Sequence, residues 1–393
     1  MFFTSGADEA LEILAKQPVD IVITDMRMPK IDGAQLLEIV RRERPAAVRI
    51  ALSGETSPEA VLRTVGTVHQ YLAKPCTPES LRATISRAGF VKGLLESNPA
   101  LCSLVGRLKA LPTIPALYLQ VARELQMEEP SLQKIGRIVA QDPGMSAKIL
   151  QLVNSAFFGL PREIEDPARA VMLLGLEVTH ALVLSLEIFS HYQTGRLGGV
   201  AWESLWSHSL ACARLAQRLA REEWPRAPKL QDRAYIAGLL HDVGKLVLGA
   251  FEPGEYRAVM KEAEAESIPL VEAEERHWGA GHPVVGAFLL GLWGLPTDLV
   301  QTILRHHGAG ESTSEQALDL VLLVNAADAL SAECGFPSGN PVSRLDESLL
   351  AECRKEDRLE TWRHLAVELF EPCPTPFRPP GGKTDHSLEA VES

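Results

Sequence analysis

The 393-residue chain has no uninterrupted apolar run near the roughly 18 residues of a membrane helix, which argues against a transmembrane anchor. The opening Met1-Phe-Phe-Thr-Ser-Gly6 has neither a basic n-region nor a long apolar stretch, so it does not read as a signal peptide. Cysteine is sparse: the six (Cys76, Cys102, Cys212, Cys334, Cys353 and Cys373) lie far apart with no CxxC pair. That spacing argues against a zinc knuckle or a disulfide framework, and scattered thiols fit a reducing cytoplasm. Positive charge is in deficit, with 39 Lys and Arg against 51 Asp and Glu, for a net charge of −12. An acidic chain with no helix-turn-helix bearing a basic recognition helix predicts binding to neither nucleic acid nor membrane. What remains is ordinary globular composition, 46% hydrophobic and 23% charged. The mean hydropathy is +0.01. The length exceeds one compact core, so two or three domains are expected.

The first ninety-odd residues alternate in type. A helical pattern over Ala7–Lys16 precedes the apolar run ending Ile21-Val-Ile-Thr24, and a second helix is expected over Ala34–Arg42. Val48–Leu52 and Gln70–Ala73 are again strand-like, with a helix expected around Pro58–Val65 between them. Short, nearly all-apolar strands separated by amphipathic helices predict a parallel sheet covered on both faces, a doubly wound α/β domain. A helix from Glu79 to about Val91 closes it. Beyond residue 100 strand signals stop. Helices are expected over Ala116–Leu125, Ser131–Ala140, Met145–Asn154, Pro167–Leu186, Trp202–Glu222, Asp232–Ala250, Pro283–Gly291, Leu299–Arg305 and Ala317–Cys334. The tail from Pro374 to Ser393 carries Pro-Pro-Gly-Gly and almost no large apolar residue, and is expected to be disordered.

In open parallel sheets chemistry gathers at the carboxyl ends of the strands. Asp25, Ser53 and Lys74 each follow a predicted strand. A carboxylate, a hydroxyl and an ammonium on one edge can accept, hydrogen-bond and charge-balance a phosphoryl group. In the helical part, His241-Asp242 interrupts an apolar helical face, where burying adjacent ionisable groups is costly unless they are paired or bind metal. His208 on an earlier helix and Asp328 on a later one complete a plausible divalent-metal set.

Asp25-Met-Arg-Met-Pro-Lys-Ile-Asp-Gly33, Leu52-Ser-Gly54 and Ala73-Lys-Pro75 resemble the signature segments of response-regulator receivers. The resemblance implies that a histidine kinase phosphorylates Asp25, that Ser53 binds and reports the phosphoryl group, and that Lys74 pairs with its charge. It also implies a cis Lys74-Pro75 bond. Tyr71 matches the family's aromatic switch, and equally reads as a packed strand aromatic. One departure matters. Met1-Phe-Phe-Thr-Ser matches the family's second strand, so the first strand, its Mg²⁺-binding acidic pair and the first helix are expected to be absent, through truncation or a start codon set too late. Asp25 alone would hold Mg²⁺ weakly, because Mg²⁺ demands several oxygen ligands.

The order H…HD…D resembles the HD superfamily of metal-dependent phosphohydrolases. His208, His241, Asp242 and Asp328 match its four defining positions, and Lys245 matches the lysine of a variant motif. His282-Pro-Val-Val-Gly286 and Arg305-His-His307 resemble segments that supply further histidines in two-metal cyclic-dinucleotide phosphodiesterases, which makes His282, His306 and His307 second-site ligands. The Asp-Gly-x-Gly-Tyr-Pro loop that names that subfamily is missing after His307. The best match is to HDOD (HD-related output) domains, carried by Leu111–Pro115, Ala140–Gly144, Leu152–Ala156, Leu173–Gly175, Leu239–Lys245, His282–Gly286 and Trp293–Pro296. That family implies a signalling output, often without catalysis, and the retained ligands leave room for Mn²⁺, Fe²⁺ or Mg²⁺.

The expected organisation is therefore a partial receiver over 1–92, a connector over 93–107, an HDOD domain over 108–345, a helical extension over 346–373 and a disordered tail over 374–393. The expected function is a two-component response regulator with a non-catalytic output that docks on a protein partner, and receivers of this kind often form homodimers. The alternative is a metal-dependent phosphohydrolase.

Overall fold

The computed structural model describes residues 1–44, 47–53, 67–74, 76–101, 116–125, 127, 129–140, 145, 149, 164, 166–176, 178–184, 202–308, 315–339 and 342–370. The helices expected around Pro58–Val65 and over most of Met145–Asn154 lie outside them, as do the bond to Pro75 and the tail. The first part is a three-stranded parallel sheet in the order β1 (Ile21–Asp25), β2 (Val48–Ser53), β3 (Gln70–Ala73). Ile21 pairs with Val48 and Ile50 with Gln70, so the strand ends at Asp25, Ser53 and Ala73 fall on one edge.

Helix α1 (Ala7–Lys16) and helix α2 (Gly33–Glu43) pack as expected around Leu14, Leu36 and Val40. Asp32 and Gln35 form a reciprocal capping box that starts α2, satisfying two otherwise orphaned donors. Gly33 cannot carry a side chain, because a Cβ there would stand 2.2 Å from the Asp25 carbonyl oxygen. Met1 to Thr4, matched above to a strand, are exposed and form none. Phe2 and Phe3 face solvent.

Helix α3 (Pro78–Ser97) is longer than the sequence pattern indicated and runs on into the expected connector. It packs against a helix of the second part, and the apolar core is continuous across the two. That second part is all-helical among the described residues. Its front holds α4 (Ala116–Leu125), α5 (Leu132–Ala140) and α6 (Pro167–Leu174). Asp166 caps α6, and Gly175 at φ 79° ends it, a backbone angle that favours glycine. The single helix expected over Pro167–Leu186 is broken there.

The back half comprises α7 (Trp202–Glu223), α8 (Pro228–Leu240), α9 (Val243–Phe251), α10 (Pro253–Glu266), α11 (Leu270–Trp278), α12 (His282–Leu292), α13 (Thr297–Arg305) and α14 (Glu315–Glu333). Then come α15 (Glu347–Glu352) and α16 (Leu359–Phe370). Glycines allow the closest crossings. A Cβ on Gly238 would lie 2.9 Å from the Ala213 main chain, and one on Gly244 2.0 Å from the His282 carbonyl oxygen. Helix α12 is buried along almost its whole length, and the Gln70 amide donates to the Gly291 and Leu292 carbonyls at its C-terminal end, at 3.3 and 3.0 Å. These bonds tie β3 to the helical part. The described helices include no single one long and apolar enough to cross a membrane.

Candidate metal centre and acceptor site

Asp25 ends β1, and Lys74, just past β3, donates to its Oδ2. The Arg27 main-chain N–H donates to Asp25 Oδ1 at 3.1 Å. Burial works to raise the Asp25 pKa, but the hydrogen bond from Lys74 and those from the Arg27 and Met26 main chain override it and hold the carboxyl below its ordinary value. Both charged groups are more than a third exposed. Ser53 and Tyr71 lie in β2 and β3, and their side chains fall outside the described residues. No cluster of three or more metal-type donors gathers around Asp25 among the described residues.

The helical part is built the opposite way. His208 comes from the middle of α7, and Asp328 from α14. His241 and Asp242 sit at a break between α8 and α9 rather than within one helix, with Asp242 at φ −96°, ψ 8°. His282 opens α12, and His306 and His307 follow α13. All seven expected ligands converge. Their donor atoms form two sets, one of His208, His241 and Asp242, the other of Asp242, His282, His306 and His307. Asp328 Oδ1 joins the first set at 3.0 Å from His208 Nε2. Asp242 belongs to both: Oδ2 lies 3.3 Å from His241 Nε2, while Oδ1 lies 3.3 Å from His282 Nε2. Lys245 Nζ donates to Asp242 Oδ2 at 2.7 Å.

The outer nitrogens fix how the rings face. Nδ1 of His208 meets the Phe336 carbonyl at 2.7 Å, that of His241 the Gly238 carbonyl at 2.8 Å, and that of His306 the Ile303 carbonyl at 2.7 Å. A carbonyl only accepts, so each Nδ1 carries a proton and each Nε2 faces the interior of the cluster. The donor atoms crowd together there. His208 and His241 Nε2 are 3.3 Å apart, and His282 and His307 Nε2 are 3.0 Å apart. Asp242 Oδ1, His306 Nε2 and Asp328 Oδ1 are buried without a hydrogen-bond partner. Converging acceptors with too few protons are the arrangement a cation stabilises, and mixed imidazole and carboxylate donors suit Mn²⁺, Fe²⁺ or Zn²⁺.

Burial opposes charge throughout the cluster. It lowers the pKa of His306 to about 4, and it drives that of His307 well below the ordinary value. Burial also acts to raise Asp242, but His241 and Lys245 outweigh it and keep that carboxylate ionised. Only His307 has a side chain more than a few per cent exposed, at 16%.

Glu274 carries no sequence motif. It is fully buried on α11, its Oε2 accepts from His282 N at 2.7 Å and from His282 Nδ1 at 2.6 Å, and Tyr256 donates to Oε1 at 3.1 Å. The available signal was a carboxylate on the face otherwise formed by Leu270, Ala273 and Trp278.

Residues 111–309 match the HDOD domain family model. The chain belongs to the HDOD family. Residues 2–86 match the response regulator receiver domain, so the α/β part is a receiver and the helical part an HDOD domain. Asp328 and its helix α14 lie beyond the matched HDOD segment. An uncharacterised protein of Treponema pallidum is 27% identical over 298 residues, covering 73% of this chain and 56% of that one. The hydrogenase transcriptional regulatory protein HoxA of Cupriavidus necator is 39% identical over 92 residues, covering 23% of this chain and 19% of HoxA. The chain thus spans little more than half of the first curated relative and under a fifth of the second. The crystal structure of an HDOD domain protein of unknown function from Geobacter sulfurreducens aligns with a TM-score of 0.52 at 27% identity, covering 70% of this chain and 99% of that one.

Proposed function

We propose that this HDOD protein is a cytoplasmic two-component response regulator. A histidine kinase phosphorylates Asp25, and the added charge changes how the HDOD domain docks on a protein partner. Ser53 holds the phosphoryl oxygens, Lys74 balances their charge and Tyr71 reports them. Among the described residues no other carboxylate joins Asp25, and Asp25 alone would hold Mg²⁺ weakly. The domains follow the limits given above, and self-association as a homodimer fits receivers of this type.

In the HDOD domain the seven-residue cluster holds divalent metal. His208, His241, Asp242 and Asp328 form one donor set, and Asp242, His282, His306 and His307 the other. Held there, such ions would supply positive charge where α7, the junction of α8 and α9, α12, α13 and α14 meet. The observation that carries the non-catalytic reading is enclosure: of the seven side chains only that of His307 is more than a few per cent exposed, which leaves little access for a substrate. Purified protein should contain Mn²⁺, Fe²⁺ or a similar ion and show no turnover of cyclic dinucleotides or phosphomonoesters with either metal added. Turnover that Asp242→Ala abolishes overturns the non-catalytic output.

One feature favours the phosphohydrolase alternative. The two Asp242 oxygens face different donor sets, so this residue could serve metal ions held by either set, and such ions would supply Lewis acidity toward a phosphate. In that case Lys245, now on Asp242 Oδ2, is the nearest cation to balance a phosphate, and His307 marks the solvent side.

A further inference from the structure

The four imidazoles whose outer nitrogen has a defined partner are not equivalent. His208, His241 and His306 each point Nδ1 at a neutral main-chain carbonyl. His282 points it at the Glu274 carboxylate, 2.6 Å away. Nothing mobile supports that carboxylate: Glu274 and Tyr256 are 0% exposed, and the phenol holds Oε1 while His282 takes Oε2 twice, through its ring and its main-chain N–H. A histidine that donates to a carboxylate is a more basic and better oriented ligand than one that donates to a peptide carbonyl, because the anion shares the ring proton and stabilises positive charge passed to the metal. The first donor set has no such support, and its side of Asp242, Oδ2, is already engaged by Lys245.

We propose that Glu274 is a positioning residue that makes the Asp242, His282, His306 and His307 set the tighter of the two metal sites, so that this set fills first. This rests on the cluster being a metal centre. Glu274 acts through His282 and touches no metal. Its second contact, with the His282 N–H at the first residue of α12, fastens the ligand to the start of its helix, so ring and backbone are held by one group.

The test is a Mn²⁺ titration of the full chain followed by electron paramagnetic resonance of the free ion, with Co²⁺ absorption as the second readout. The wild type should show two affinity classes, and His208→Ala should remove the weaker one only. In Glu274→Gln the amide oxygen still accepts the His282 N–H, so the helix start survives while the charge is lost. The dissociation constant of the tighter class should rise about 10- to 100-fold, the weaker class should stay as it was, and the Co²⁺ spectrum of the tighter class should shift. Tyr256→Phe, which leaves both Oε2 contacts in place, should give a smaller rise in the same constant, and it carries the test if Glu274→Gln does not fold. A Glu274→Gln protein with wild-type affinity and spectrum overturns the assignment, as does equal weakening of both classes, which would make Glu274 only a packing group. Wild-type protein that takes up no metal overturns the metal centre itself and this assignment with it.

Discussion

The receiver and the HDOD domain each gather charged side chains, but on opposite terms. Asp25 and Lys74 meet at an open strand edge, each more than a third exposed, where an exchangeable group can come and go. The HDOD cluster places three carboxylates and five histidines, Glu274 included, in a nearly dry interior, where every acceptor needs a fixed positive partner. An exposed pair suits transfer, because water and solutes screen both states and the cost of changing charge is small. A buried cluster suits retention, because removing one charge leaves its neighbours stranded. On the proposed function, the first site is the input and the second the brace.

The sharpest way to break this contrast is Asp242→Ala. It strips the carboxylate shared by both donor sets and leaves Lys245 buried with no anion at 2.7 Å. A loss of about 3–5 kcal/mol is expected, read by urea denaturation of metal-free protein, together with loss of metal uptake. Next comes Gly244→Ala, whose new methyl would meet the His282 carbonyl oxygen at 2.0 Å. Helices α9 and α12 must part to admit it, at a cost of about 1–3 kcal/mol or more, and metal affinity should fall with stability because His282 moves. Gln70→Ala tests the tie between the halves. The Leu292 carbonyl loses its donor while the Gly291 carbonyl keeps the Gly294 N–H, for about 1 kcal/mol, and hydrogen exchange should quicken at the end of α12 before it does at α7.

Acid supplies a finer probe on the receiver side. His69 is fully buried against Arg49, and burial, seconded by the Arg49 charge, holds its pKa well below the ordinary 6.5. Below pH about 6.5 the unfolded chain takes up a proton that the folded receiver refuses, so stability falls as pH falls through that value and is recovered above it. His69→Gln should flatten that slope in a denaturation series, leaving the HDOD metal content unchanged. The smallest effect on stability is expected from Asp25→Asn. It should abolish phosphoryl uptake from a small donor such as acetyl phosphate, while melting temperature and metal content stay at wild-type values.

The parallel sheet was legible because its strands are short apolar runs bounded by turn residues, and all three parallel strands lie within a residue or so of where the pattern puts them. The acceptor pair was legible for the same reason: once the strands are placed, Asp25 and Lys74 must share an edge. The seven HDOD residues were readable from motif order, since charged residues in apolar helices stand out. Other features follow from tertiary context. Helices α10 and α11 escaped notice because their buried stripes are narrow and interrupted by charge, as in Tyr256, Val259 and Ala263 among six acidic and basic neighbours. The break at His241-Asp242 was not legible because the apolar pattern runs on through it, and Gly244 beyond it shows its purpose only against the His282 carbonyl of α12. Glu274 lacks any motif, and its role exists only because α11 lays it beside the first residue of α12.

The deciding property is whether the buried HDOD cluster holds metal. Elemental analysis of the full chain, purified without added metal or chelator and compared with Asp242→Ala prepared in parallel, reads this directly. The account predicts up to about two divalent ions per chain in the wild type and none above background in the variant. A wild-type protein free of metal, whose melting temperature does not rise when Mn²⁺ or Fe²⁺ is added, would contradict it.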